Sequence, residues 1–528
     1  MKAKLLNGKL CIALLLLIFV LQACQEEEDF FVENKPVETP GTTATGAELT
    51  MDSLFFYAKE IYLWNEDLPD YNAFNPRKYT GQSGDLESLK KELFDISQYS
   101  LNAATGRSYE FVSSSVNYPK YSFIEDNEDA KGKLSREGLS GMSDLEGTLE
   151  DYGLAFSSVS ATDVRVRYVS TGSPADKAGL TRGDKLLKIN NSAVRVDSQA
   201  GVDHILSSLE QAAITLSVKK ASGDTVEAAL EKTTYTVDPV LKSSVLTTGA
   251  GKVGYLAYSM FSTMDNSKAA LDKAFAAFAA AGVSDLVVDL RYNGGGYVTT
   301  AEYLCNQIAP NSLNNKVMYK EIYNELMQQG KARILENKLV LKENDTPISY
   351  KGRYFTYADY DYTVEGNTRS FKNEGALETV KRVYFIIGSN TASSSELVIN
   401  ALKPHLEVTL IGAASYGKPV GFFGVDIDKY TVYMPNFKTV NANNEGDYYG
   451  GFKPDVPAAD DVTHDFGDPQ EASLALALSL IRGESASPVA KHSVNGGGEV
   501  ATQKKELKHL GEYSGFRGMI ENRKPGSF

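Results

Sequence analysis

"RVYFIIGSNTASSSELVINALKPHLEVTLIGAASYGKPVG", residues 382–421, decides how the rest of the chain is read. "VYFIIGS" is a short apolar run ended by a turn, "SSELVINAL" has the texture of a helix, and "EVTLIGA" is a second apolar run. Strand, helix and strand in this order imply a mainly parallel sheet with helical crossovers. A side chain at the strand–helix junction stands at the C-terminal end of a strand, where open α/β sheets bind ligands. It also stands at a helix N-terminus, whose free N–H groups favour developing negative charge. Three consecutive serines, Ser393, Ser394 and Ser395, occupy this junction. Ser ahead of Glu is equally an ordinary helix start, and by that signal alone a cap is the simpler reading.

The same alternation extends on both sides. "KVGYLAYSMF" is a strand, "NSKAALDKAFAAFAAAG" an Ala-rich helix ended by Gly282, and "DLVVDLR" a buried strand running into "YNGGG". A helix near 299–308 follows, then a polar, Tyr-rich stretch with hairpin texture, and "PQEASLALALSLIRG" closes the unit as an amphipathic helix. Residues 238–484 therefore read as an α/β core with an insertion at about 313–370. A serine nucleophile needs a base. The five histidines, His204, His405, His464, His492 and His509, fall in no recognisable motif. Lys418 follows the strand next to that of Ser393, at the same end of the sheet. Lysine serves as a base where burial lowers its pKa enough to leave a neutral amine. "GAASYGKPVGFFG" carries no carboxylate to hold it charged, and Tyr416, Val420, Phe422 and Phe423 offer an apolar wall.

Upstream the texture is β. "VRVRYVS" alternates strictly, "SPADKAGLTRGDKLLKINNSAV" reads as short helix, Gly turn and strand, and "AITLSVKKASGDTVEAALEK" reads as a hairpin about Ser222-Gly223-Asp224. Pro174 can start the helix, Gly179 can cap it in the left-handed region, and Gly183-Asp184 turns the chain. Residues 49–140 are mainly helical, with apolar faces in "LTMDSLFFYAKEIYLWNEDLP" and "DLESLKKELFDIS". Residues 24–48 read as a flexible, Pro- and Thr-rich tether. Residues 485–528 lack core-forming periodicity and read as a loose C-terminal tail. At the start, "MKAKLLNGK" brings three lysines and "LCIALLLLIFVLQA" an apolar stretch too short for a membrane span, so residues 1–23 read as a signal peptide. A net charge of −14 argues against nucleic acid as a partner. Beyond Cys24, Cys305 stands alone, which excludes an internal disulfide framework in the mature chain.

Several of these stretches resemble known families. "TASSSE", "YGK" and "DLRYNGGG" are similar, in the right order along the chain, to motifs of the C-terminal processing, or tail-specific, serine proteases. In that family the first serine after alanine is the nucleophile and a Gly-Lys pair 25 residues later supplies the general base, which selects Ser393 and Lys418. The resemblance implies an oxyanion hole from the N–H of Ser394 and that of Gly294 or Gly295. Asp289 and Arg291 would brace the "NGGG" turn, and Ser395 and Glu396 would serve the helix start. Where family members often carry a glutamine to orient the lysine, four residues beyond it, this chain has Phe422. Residues 141–237 resemble a circularly permuted bacterial PDZ domain, with Gly153, Leu154, Ala155 and Phe156 in the place of the loop that cradles a peptide carboxylate. "LQAC" resembles a lipobox, which implies lipidation at Cys24. "QEEEDFF" resembles a surface-export signal and fits a solvated tether equally well.

The expectation is thus a multidomain α/β protein: a helical N-terminal domain, a PDZ-like β-rich domain, and an α/β protease core of the crotonase-like, tail-specific type. It would be a serine endopeptidase acting on proteins or peptides, with no metal or organic cofactor. It would be lipid-anchored at Cys24 to the outer membrane of a Gram-negative bacterium. Two alternatives stand beside it. One is a peptide-binding relative that has lost turnover, and the other is a surface glycan- or nutrient-binding lipoprotein that uses the Tyr-rich insertion.

Overall fold

The structure is a computed structural model that describes residues 44–81, 84–112, 118–127, 147–342, 346–373, 375, 377–484, 508–510 and 518–521. Cys24, the leader, most of the 24–48 tether and His492 lie outside these residues. The chain falls into two units, Met1–Leu49 and Thr50–Phe528, and the second carries every feature discussed below.

The centre of this unit is a six-stranded sheet. Its order is Val240–Thr248, Gly251–Tyr258, Asp285–Asp289, Arg382–Ile387, Glu407–Gly412 and Val456–Pro457. The first pair is antiparallel and the other four are parallel, as the strand–helix alternation implies. Asp285–Asp289 is buried at every position, as a strand covered on both faces should be. Its side chains alternate between two cores. Leu286 and Val288 face the helices Met264–Ala281 and Ser394–Leu402 through Phe275, Phe278, Val398 and Leu402, whereas Val287 faces Leu474 and Ala477 of the helix Ala472–Ile481. Gly282, at φ 69°, ends the first of these helices in the left-handed conformation.

The PDZ-like segment has its own core, which includes Phe156, Val164, Val166, Leu186, Ile205 and Leu216. Its strands run antiparallel in the order Thr225–Glu231, Ala213–Lys219, Lys185–Ile189, Asp163–Val169 and Leu154–Ser160. The helix Pro174–Lys177 begins at Ser173, whose Oγ accepts the Asp176 N–H at 3.2 Å, and Gly179 follows it at φ 72°.

Three features differ from expectation. The helical residues 49–140 do not form a self-contained domain. Met51, Leu54, Phe55, Leu89, Leu93 and Ile124 belong to the same core as the helices Met264–Ala281 and Ser394–Leu402, and Phe123–Asp126 pairs with Tyr430–Tyr433. Periodicity shows which face of a helix is apolar, but not what covers it. The stretch 313–370 is woven in rather than appended. Val317–Tyr323 pairs with Phe437–Asn441, and the hairpin texture is realised by Ser349–Tyr350 with Arg353–Tyr354. Finally, the 485–528 tail is not loose throughout. Lys508–Leu510 pairs with Leu154–Ser160, Gly518–Ile520 pairs with Gly295–Tyr297, and Leu510, Met519 and Ile520 are buried. These strands add to edges made elsewhere in the chain, so no local periodicity announces them.

Candidate active site

The junction after Arg382–Ile387 answers which of its hydroxyls is available. Thr391 Oγ1 donates to the Leu290 carbonyl at 2.7 Å, Ser394 Oγ to the Gly296 carbonyl at 2.7 Å and Ser395 Oγ to the Asn293 carbonyl at 3.0 Å. All three acceptors lie on the "DLRYNGGG" turn, so the motif is laced to that turn. Ser393 Oγ alone of this group has no partner among the described residues, although the residue is fully buried. Its backbone sits at φ 58° and ψ −111°, a region costly for any residue with a β-carbon. Such strain holds the side chain at the strand end instead of letting it relax into the helix.

Glu396 joins this serine to the lysine. Its buried Oε2 accepts the N–H of Ser393 at 2.9 Å and the N–H of Lys418 at 2.8 Å. Oε1 accepts the Gly417 N–H at 2.7 Å and the Ser415 hydroxyl at 2.5 Å. The other half of a capping box, a bond to Ser393 Oγ, is not closed at hydrogen-bond distance. Glu396 is therefore more than a helix start: one carboxylate clasps the backbones of both residues. Burial pushes its carboxyl up, and the four donors oppose that shift. Glu396→Gln replaces one acceptor oxygen with a donor that faces N–H or O–H groups. The expected loss is about 3 kcal/mol of stability, read from the urea midpoint, together with a fall in activity. An unchanged midpoint would show that the clasp carries no energy.

Lys418 is 1 % exposed, and burial lowers its amine to about 7. The expectation that no carboxylate opposes this is corrected by the fold, because Glu110 and Glu396 both raise the value, while the neighbouring Lys120 lowers it. Nζ lies 4.2 Å from the Phe422 ring centroid and 5.7 Å from that of Tyr121. Phe422 thus walls the amine where a glutamine would bond it. Val420 and Phe423 are also buried, whereas Tyr416 is half-buried and donates to the Lys120 carbonyl. No direct bond joins Ser393 Oγ to this amine in the structure.

Sequence reasoning missed the contribution of Glu110, Lys120 and Tyr121. Tyr121 OH and Lys120 Nζ both donate to the Gly417 carbonyl, at 2.7 and 3.0 Å, and so fix the residue before Lys418. Glu110 in turn accepts the N–H groups of Tyr121 and Ser122 and the hydroxyl of Tyr62. Gly417 itself is at φ 85°, with the Tyr449 carbonyl 2.4 Å from where a β-carbon would stand.

The turn opposite is braced as expected. Arg291 pairs with Asp289 and reaches Glu471 and Asp460 at 2.8 and 3.0 Å. Arg182 of the PDZ-like segment enters the same cluster, bonding Asp460 at 2.8 Å and the Tyr292 hydroxyl at 2.7 Å. Among the expected oxyanion donors, the Gly295 N–H is already given to Asn293 Oδ1 at 2.9 Å. The N–H groups of Ser394 and Gly294 make no hydrogen bond among the described residues. In the PDZ-like loop, the Gly153 N–H is likewise given to Asp151 Oδ1 at 2.6 Å, while Leu154, Ala155 and Phe156 open the strand Leu154–Ser160, which lies between Asp163–Val169 and Lys508–Leu510. His405 bonds the Val317 carbonyl and His464 bonds Asp461, away from Ser393.

Comparison with known proteins agrees with this architecture. Residues 252–458 match the model of peptidase family S41, and residues 165–220 match that of a PDZ domain. The chain is 24% identical over 270 residues to the chloroplastic C-terminal processing peptidase of Tetradesmus obliquus, covering 49% of this chain and 48% of that protein. It is 22% identical over 288 residues to the carboxy-terminal processing protease CtpA of Bacillus subtilis, covering 54% and 51%. The chain thus spans about half the length of the curated relatives it matches. A crystal structure from Bacteroides fragilis NCTC 9343, assigned to the S41 proteases, shares the fold with a TM-score of 0.54 at 22% identity, covering 81% of this chain and 97% of that one. The core of this chain is thus similar to peptidase family S41, and the segment before it is similar to a PDZ domain.

Proposed function

We propose that this protein is a serine endopeptidase that cleaves proteins or peptides through Ser393 and Lys418. The observation that carries the reading is the single unbonded hydroxyl of the motif, on the residue whose backbone shares the Glu396 carboxylate with that of a buried lysine. In this mechanism Ser393 Oγ attacks the scissile carbonyl as its proton passes to the neutral Lys418 amine. The N–H groups of Ser394 and Gly294 receive the oxyanion. Lys418 then protonates the leaving amine, and the acyl-enzyme on Ser393 remains. Water, deprotonated by the same amine, releases the acid and restores the serine. The strand Leu154–Ser160, paired in the structure with Lys508–Leu510, would offer its main-chain groups to a substrate strand in their place.

The test is degradation of an unstructured protein such as casein. The full chain is expected to degrade it and the Ser393→Ala chain to leave it intact. Equal degradation by both would assign the activity to another site, and binding without turnover by both would favour the inactive relative.

A further inference from the structure

The residues read as a loose tail occupy both places where an extended peptide would bind. Lys508–Leu510 lies antiparallel on the PDZ edge, with Leu510 opposite Phe156 and buried in the PDZ core. Gly518–Ile520 lies parallel to Gly295–Tyr297, with Gly518 beside Gly295, Met519 beside Gly296 and Ile520 beside Tyr297. Its other edge is held as well. The Phe422 N–H donates to the Met519 carbonyl at 3.1 Å, and the Glu521 N–H donates to the Phe422 carbonyl at 3.2 Å. Met519 is fully buried in the main core, and Ile520 packs with Tyr297, Phe422 and Tyr433. Glu521 lies 3.6 Å from Arg369. The Gly518 carbonyl oxygen and Ser393 Cβ flank the same point above Gly295, 2.6 and 3.0 Å from it.

We propose that Lys508–Leu510 and Gly518–Glu521 are intramolecular occupants of a two-part peptide track, one part on the PDZ edge and the other across Ser393, so that a substrate must displace them. The proposal rests on the peptidase reading for its kinetic consequence, but not for the occupancy itself. The track selects for an extended chain with an aliphatic residue at the PDZ edge. At the site it selects a small residue over Ser393, followed by two apolar residues and an acidic one. A segment tethered in this way acts at an effective concentration on the order of millimolar. Free peptides below that level therefore compete poorly, and the resting enzyme is slow. Phe422 thus meets both the Lys418 amine and the apolar cluster that holds Ile520.

The test uses the full chain with Met519→Glu and Ile520→Glu combined, which makes burial of the strand costly. Hydrogen exchange at the Phe422 amide and kcat/KM on an unstructured peptide are both measured. Exchange is expected to quicken by about tenfold or more, and kcat/KM to rise by about tenfold. A synthetic peptide of residues 508–521 should restore inhibition competitively. Should the double variant fail to fold, Glu521→Ala removes the Arg369 contact and is expected to raise kcat/KM about threefold. Unchanged exchange and unchanged kcat/KM would overturn the proposal. So would cleavage within 508–521 seen by mass spectrometry, because the segment would then be a substrate. Quicker exchange with no hydrolysis in any variant would uphold the occupancy and sink the peptidase reading instead.

Discussion

Ser393→Ala and Lys418→Ala are each expected to lower kcat/KM by about ten-thousand-fold, because groups that pass one proton between them lose nearly everything when either is removed. Ser395→Ala should keep most of the activity, since that hydroxyl is spent on the Asn293 carbonyl and its loss costs about 1 kcal/mol of stability. The strained backbone adds a sign that a mere cap would not give. At φ 58° and ψ −111° a β-carbon is costly, so Ser393→Gly should be as inactive as Ser393→Ala but more stable by about 1 kcal/mol. Activity in Ser393→Ala with loss in Ser395→Ala would move the nucleophile by two residues. Equal stability of the glycine and alanine variants would remove the strain.

Activity is expected to rise with pH along one ionisation centred near 7, where burial sets the Lys418 amine, and to stay level above it. The midpoint alone does not separate a lowered lysine from an ordinary histidine, so variants must. Replacing His204, His405 or His464 should leave the profile in place. Lys120→Met should move the midpoint upward, since the Lys120 charge lowers the Lys418 value. Stability follows with a definite sign. The folded lysine titrates at about 7 and the unfolded one near 10.5, so between these values the unfolded chain binds one more proton and stability rises with pH. Lys418→Met should accordingly raise Tm by on the order of 5 °C below pH 7, and by less as pH approaches 10. A profile that shifts with a histidine variant and not with Lys120→Met would remove lysine from the role of base.

Much of this was legible because it is local in the chain. The strand–helix–strand alternation, the 25 residues between Ser393 and Lys418, and the turn glycines Gly179 and Gly282 all act within one or two elements. The rest depends on contacts between distant segments. Lys120 and Tyr121 meet the Gly417 carbonyl across almost three hundred residues, and "YPKYS" carries no mark of that destination. Glu396 was visible as a helix-start acid, but its reach to the Lys418 N–H needed the fold. Lys508–Leu510 and Gly518–Ile520 bind mainly through their backbones, and main-chain pairing leaves almost no side-chain pattern to read. The expected Gly295 donor failed for a similar reason, since only the folded turn shows its N–H given to Asn293.

The most direct measurement is the rate at which a fluorophosphonate probe phosphonylates the full chain at pH 8, with fluoride leaving and the modified residue located by peptide mapping. Labelling confined to Ser393, about a thousandfold slower in Lys418→Ala and unaffected in Ser395→Ala, is the expected result. Labelling at another serine, or equal labelling rates with and without the Lys418 amine, would contradict a serine nucleophile activated by this lysine.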